Sequence, residues 1–200
     1  MFEFLYTYRY SPLPLGSDIR LLRLMPHKDE TAPIQCQLFD YSLQESGKKT
    51  HLYEALSYVW GGSDKPRSIS IDKYNWPVTV NLHAALSRLR DRFIERIIWV
   101  DAVCINQVDL KEQGLQVQLM AKIYSKANRV IVWLGEMEPD SDQVLEDIRL
   151  AANEESTERL KKEMNQQAIL NLLQRPWFQR IWVREQTPNY NYQTTLTQLI

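Results

Sequence analysis

The stretch RIIWVDAVCINQVDLKEQGLQVQLMAKIYSKANRVIVWLG, residues 96–135, decides how the chain is read. Its first part, Arg96 to Val103, is almost continuously apolar, the pattern of an interior strand covered on both faces. Asp109 followed by Glu112 is a capping box, predicting a helix start. Leu115, Leu119, Ile123 and Ala127 then recur on one helical face, widened by Met120 and Tyr124. Arg129 to Gly135 reads as a second interior strand, closed by its glycine. Strand, helix and strand in this order predict parallel neighbours, because parallel strands need a crossover between them.

The pattern extends upstream. Asn81 is placed to cap a helix carrying Leu82, Leu86, Leu89 and Phe93. Before it, residues 54–62 (EALSYVWGG) form a short apolar strand ending in two glycines. RSISI (67–71) and WPVTV (76–80), joined by DKYN, predict a hairpin, with Pro77 suited to an edge. DIRLLRLMP (18–26) and IQCQLFDYSL (34–43) alternate in part and read as further strands. The fold class expected is α/β: an open, mainly parallel sheet flanked by helices, with additional antiparallel strands at the N-terminus. Three regions follow: a β-rich lead-in over 1–50 packed on the core, a main domain over 51–186, and an unpatterned tail over 187–200. Within the main domain, residues 138–160 are acidic and predict helical pieces, a further helix runs from Leu160 to Leu172, and Pro176 suits a helix start or turn.

Bulk composition excludes several classes of function. Over 200 residues the formal charge is −1, which gives no electrostatic case for nucleic acid or an anionic membrane. Arg88, Arg90, Arg92 and Arg96 cluster, but Asp91 and Glu95 interrupt them, so they read as a solvated helix face. The two cysteines, Cys36 and Cys104, support neither a disulfide framework nor a four-cysteine metal site. No apolar run approaches the roughly 20 residues that span a bilayer, and the N-terminus lacks a signal-peptide pattern. A cytoplasmic chain is expected, with the nucleus left open and no integral membrane segment. His27, His51 and His83 stand singly, without the converging ligands that zinc needs, so no metal is expected. No Gly-rich phosphate loop is present.

The candidate chemistry lies where the strands end. Ligands of open α/β sheets bind at the C-terminal ends of parallel strands. There the sequence gathers Trp60, Gly61, Gly62, Ser63 and Asp64; Asp101 with Asn106 and Gln107; and Trp133, Gly135 and Glu136. Asp101, placed in an apolar strand, must be paired or hydrogen-bonded. Two readings stay open: an anchor accepting backbone N–H bonds, or a carboxylate facing a ligand. Asn106, Gln107, Asp109 and Glu112 read as the junction between strand and capped helix. Cys104 reads as a small core residue.

These segments resemble the fungal heterokaryon incompatibility (HET) domain. The resemblance is carried by LSYVWG (56–61), by Asn81 to Arg90, and by WVDAVCINQVDLKE (99–112), which continues through Gln116, Val117, Met120, Ile123, Tyr124 and Ala127 to the WLG of 133–135. It spans roughly residues 52 to 186. It implies a signalling module of non-self recognition and programmed cell death, acting through protein partners or self-association. The family is distantly similar to Toll/interleukin-1 receptor (TIR) domains, which implies a TIR- or flavodoxin-like core and, as an alternative, hydrolysis of NAD.

In that alternative Ser57, Trp60 and Asp64 contact NAD as substrate, while Glu185 and Asp101 are the catalytic carboxylates. Enzymatic TIR domains carry a Glu four residues after a Trp. In PWFQRIWVREQ (176–186) the position four after Trp182 holds Gln186, with Glu185 one residue earlier, and an amide does not serve as a carboxylate base. The HET family that the chain resembles usually has Gln-Glu at this place; the reversed order here also supports a third reading, a truncated family member without activity of its own.

Overall fold

In the computed structural model, residues 8–14, 18–44, 51–136 and 166–179 are described. Seven strands form one sheet: β1 (Asp18–Leu24), β2 (Gln35–Ser42), β3 (His51–Ser57), β4 (Arg67–Ile71), β5 (Tyr74–Val78), β6 (Arg96–Trp99) and β7 (Ala127–Val132). Their spatial order is β5-β4-β2-β1-β6-β3-β7. The sheet is mixed. β3 pairs in parallel with β6 and β7, and β2 with β4. β1 runs antiparallel to both β2 and β6, and β4 to β5. The parallel part at the end bearing the sequence motifs is therefore the trio β6-β3-β7. The N-terminal strands reach into the middle of the sheet, since β1 lies between β2 and β6.

Among the described residues four α-helices accompany the strands: α1 (Val80–Leu89), α2 (Asp101–Cys104), α3 (Leu110–Lys126) and α4 (Gln166–Leu173), with a 3-10 turn at Pro176–Gln179. Neighbouring residues of β3 show how two of the helices lie. Tyr53 sends its hydroxyl to the Ile123 carbonyl of α3 at 2.5 Å, while Glu54 meets Arg96, which donates to the Leu89 carbonyl at the end of α1. Consecutive strand residues point to opposite faces, so α3 and α1 cover opposite sides. Leu82, Ala85, Leu86 and Leu89 of α1 are buried, as are Ile98 and Trp99 of β6.

Several sequence expectations are corrected. The strand expected over Arg96–Val103 stops at Trp99. Val100 is the extended residue before a short helical turn, and Cys104 N–H donates to the Val100 carbonyl at 2.8 Å. The run is apolar beyond the strand because Val103 and Cys104 of the turn are as buried as the strand itself. β7 stands at the outer end of the described strand order, not inside it. Its apolar pattern reflects cover on its two faces, not the presence of a strand on each side.

Thr79, not Asn81, caps α1, accepting from Leu82 N–H at 3.3 Å. That helix ends at Leu89, so Phe93 is outside it and 70% exposed. Asp91 accepts the N–H groups of Phe93 and Ile94 at 2.7 and 3.0 Å, turning the chain out of helical geometry. Arg90 and Arg96 are not part of a merely solvated face. Arg90 clamps the carbonyls of Ala32 and Glu30, and Arg96 pairs with Glu54. Leu115 is exposed, its place on the inner face of α3 taken by Gln116, which donates to the Asp18 carbonyl at 2.9 Å. Pro77 does lie on the outermost strand, β5. The hairpin turn is Asp72-Lys73 alone, with Tyr74 and Asn75 already in β5.

Candidate functional site

The C-terminal ends of β3, β6 and β7 are tied together by indole N–H groups. Trp60, just past β3, donates to Asp101 Oδ2 at 2.9 Å. Trp133, just past β7, donates to Asn81 Oδ1 at 2.7 Å, and the Asn81 amide donates to the Val59 carbonyl at 2.5 Å. Trp177, in the 3-10 turn, donates to Ser57 Oγ at 3.0 Å. Of these indoles Trp133 is buried, and leaving its single donor unpaired there would be costly. The motif residues supply the acceptors.

Asp101 opens α2 instead of interrupting a strand. Its Oδ1 accepts the Ala102 N–H at 2.8 Å, and its carbonyl accepts from Gln107 Nε2 at 2.9 Å. Gln107 in turn accepts from Gln113 Nε2 at 3.0 Å, joining the loop to α3. Asp109 caps α3 by accepting from Lys111 and Glu112 N–H at 3.0 and 3.1 Å. The reciprocal half of the expected capping box is not made to Asp109. Glu112 accepts instead from Asn106 N–H at 2.8 Å and forms a two-pronged pair with Arg20 of β1, at 2.5 and 3.0 Å.

Arg20 is 1% exposed and is the anchor of the junction. It also donates to the carbonyls of Cys104 and Ser11 and lies over the Tyr10 ring at 4.6 Å. Burial acts to lower its pKa, but the hydrogen bond and charge of Glu112 outweigh this, and the net shift is upward. The guanidinium is thus held charged inside the fold. Tyr10 completes the clamp, its hydroxyl donating to the Val103 carbonyl at 2.7 Å. Cys104 is fully buried and its thiol is pushed up to about 12, chiefly by desolvation, so it is not poised as a nucleophile.

The residues singled out from the sequence therefore fall into groups. Trp60 and Asp101 are brought into contact. Ser57 is 3% exposed and covered by Trp177. Asp64 stands on an exposed loop, and among the described residues takes no part in these bonds. Glu185 and Gln186 lie outside the described residues, as do the acidic pieces at 138–160. Among the described residues no cluster of His, Cys, Asp and Glu could hold a metal ion, and no helix is long and apolar enough to cross a membrane. Sequence reasoning missed the bridging role of Asn81. The available signal was Thr79: a better-placed cap two residues earlier leaves the Asn81 side chain for other work.

The strand ends of the parallel trio are thus joined through residues of LSYVWG, DAVCINQ and WLG. Residues 53–185 match the family described as Heterokaryon incompatibility protein (HET), and the chain belongs to that family. Among curated proteins it is similar to heterokaryon incompatibility protein 6, OR allele, of Neurospora crassa: 35% identical over 144 residues, covering 66% of this chain and 21% of the relative. The chain thus spans about a fifth of that relative's length. No solved structure matches it.

Proposed function

We propose that the chain is a HET-type signalling module of fungal non-self recognition, acting in the cytoplasm by protein–protein assembly that leads to programmed cell death. The observation that carries this reading is the inward commitment of the motif's polar groups. Ser57, Asn81, Asp101, Gln107 and Glu112 all bond within the fold. Outward, the same region offers exposed apolar side chains among charged ones: Trp60 is 41% exposed, Val108 89% and Leu110 78%, with Asp109 and Lys111 exposed beside them. Exposed apolar side chains on a rigid frame suit contact with another protein.

Inducible expression in fungal cells tests the proposal. The wild-type chain should arrest growth, and Val108→Asp with Leu110→Asp should relieve the arrest while the purified variant keeps its melting temperature. Arrest that survives these changes would remove the role of this surface; absence of arrest with folded wild-type chain present would remove the proposal.

A second reading draws on the Trp60–Asp101 contact. A half-exposed indole held against a carboxylate at strand ends suits stacking on a base, with the carboxylate steadying cationic charge. This supports a TIR-like core hydrolysing NAD, with β6-β3-β7 and its two covering helices as the part of the fold that favours it. Incubation with NAD and assay of free nicotinamide decides the matter. Asp101→Asn, which still offers Trp60 an acceptor, should abolish release at unchanged thermal stability if the reading holds.

A further inference from the structure

We infer that the segment Gln166–Gln179 is a strap that lifts as a unit from the strand ends and controls access to Ser57. The inference does not depend on the assembly reading. Ser57 and Val132 are register partners on adjacent parallel strands, so their side chains share one face. Over that face lie Leu172 and Trp177. Val132, Leu134 and Leu172 form a buried cluster of their own, against which Val130, Trp177 and Phe178 pack. The main core is built from residues between Ile19 and Trp133, and among the described residues the strap supplies none of it.

The strap's described backbone hydrogen bonds are internal: Gln174 N–H to Leu170, Arg175 N–H to Leu172, and Phe178 N–H to Arg175. Among the described residues, lifting it breaks no rung of the sheet. Of its described bonds to the strand ends, it breaks the Trp177–Ser57 bond and the contact of Arg175 with the Leu134 carbonyl at 3.4 Å. An element with its own apolar cluster and internal backbone bonds opens at a lower free energy than the core it covers. Opening uncovers a hydroxyl at the end of β3 and the apolar pair Val132 and Leu134, so any ligand or partner that uses Ser57 meets the open form.

Thiol labelling of Ser57→Cys in the full chain tests this, since both native cysteines are buried. The new thiol should react with Ellman's reagent more slowly than an exposed thiol but at least about tenfold faster than Cys104. Adding Trp177→Ala should speed it by about tenfold more, the scale of one lost hydrogen bond and its packing, and leave Cys36 and Cys104 unchanged. Reaction at the Cys104 rate whatever occupies position 177 overturns the inference, because access would then require global unfolding. Reaction at the exposed-thiol rate also overturns it, because no closed strap would exist. Should Ser57→Cys fail to fold, amide exchange of the wild-type chain serves. Protection at 172–178 should be lost well before that at 21–24, and equal protection sinks the strap.

Discussion

At the scale of single residues, Glu112 matters more than the helix cap whose sequence signature it completes. It accepts both prongs of an almost fully buried guanidinium, so removing its charge leaves Arg20 with Asp40, 3.9 Å away and half-exposed, as its charged partner. Breaking one side of a buried pair costs about 3–5 kcal/mol, against about 1 kcal/mol for loss of an N-cap side chain. Glu112→Gln should therefore lower the unfolding free energy far more than Asp109→Ala, as urea denaturation would measure; equal losses would mean that Arg20 finds another partner. The buried thiols give a pH dependence of definite sign. Burial raises both Cys36 and Cys104 from 9.0 to about 12. The unfolded chain loses these protons first, so their contribution to stability is complete below pH 9 and falls as pH rises from 9 towards 12. Melting temperature should decline over that alkaline window, and less steeply in a Cys36→Ala, Cys104→Ala variant. Asp101 shows why sequence alone left its role open. Its acceptor capacity was evident, but the donors are an indole 41 positions away in sequence and the next residue's own N–H.

At the scale of elements, legibility followed the range of the forces involved. The α3 cap, the β4–β5 hairpin and the edge position of Pro77 were readable because local chemistry sets them. The end of β6 was not, because a buried helical turn and a buried strand demand the same apolar residues. The place of β7 at the end of the described order was hidden for a related reason: facial cover by helices gives an outer strand an interior pattern. The hairpin offers a direct test of local control. Asp72 and Lys73 have φ values of 48° and 74°, the left-handed conformations of a two-residue hairpin turn in which the second position favours glycine. Lys73→Gly should raise stability by about 0.5–1 kcal/mol by relieving that conformation, seen as a higher melting temperature. A fall would show that the lysine side chain contributes more than its backbone strain costs.

At the scale of the whole molecule, the boundary of family similarity and the boundary of the folding unit differ. The HET match begins at residue 53, yet the motif it contains is held from outside. β1 pairs with β6 through Leu22–Ile98, Arg23–Ile97 and Leu24–Arg96, so it supplies one whole side of the central parallel strand's neighbour. Ile19, Leu21, Leu22 and Leu24 are all 1% exposed or less and belong to the main core. From the same strand Arg20 reaches Glu112, and ahead of it Tyr10 bonds the carbonyls of Val103 and Ile105. Even with about 1.5–3 kcal/mol for each large side chain buried, these four apolar residues together match the whole net stability of about 5–15 kcal/mol expected for a domain. A chain beginning at residue 51 would also expose the β1-facing edge of β6 and leave Glu112 without its cation. That truncation should lose cooperative thermal unfolding and aggregate, whereas the 200-residue chain should show one transition. Circular dichroism melts of the two chains measure the difference, and a cooperative transition from the chain beginning at 51 would show that the family-matched region folds without the strand that now borders it.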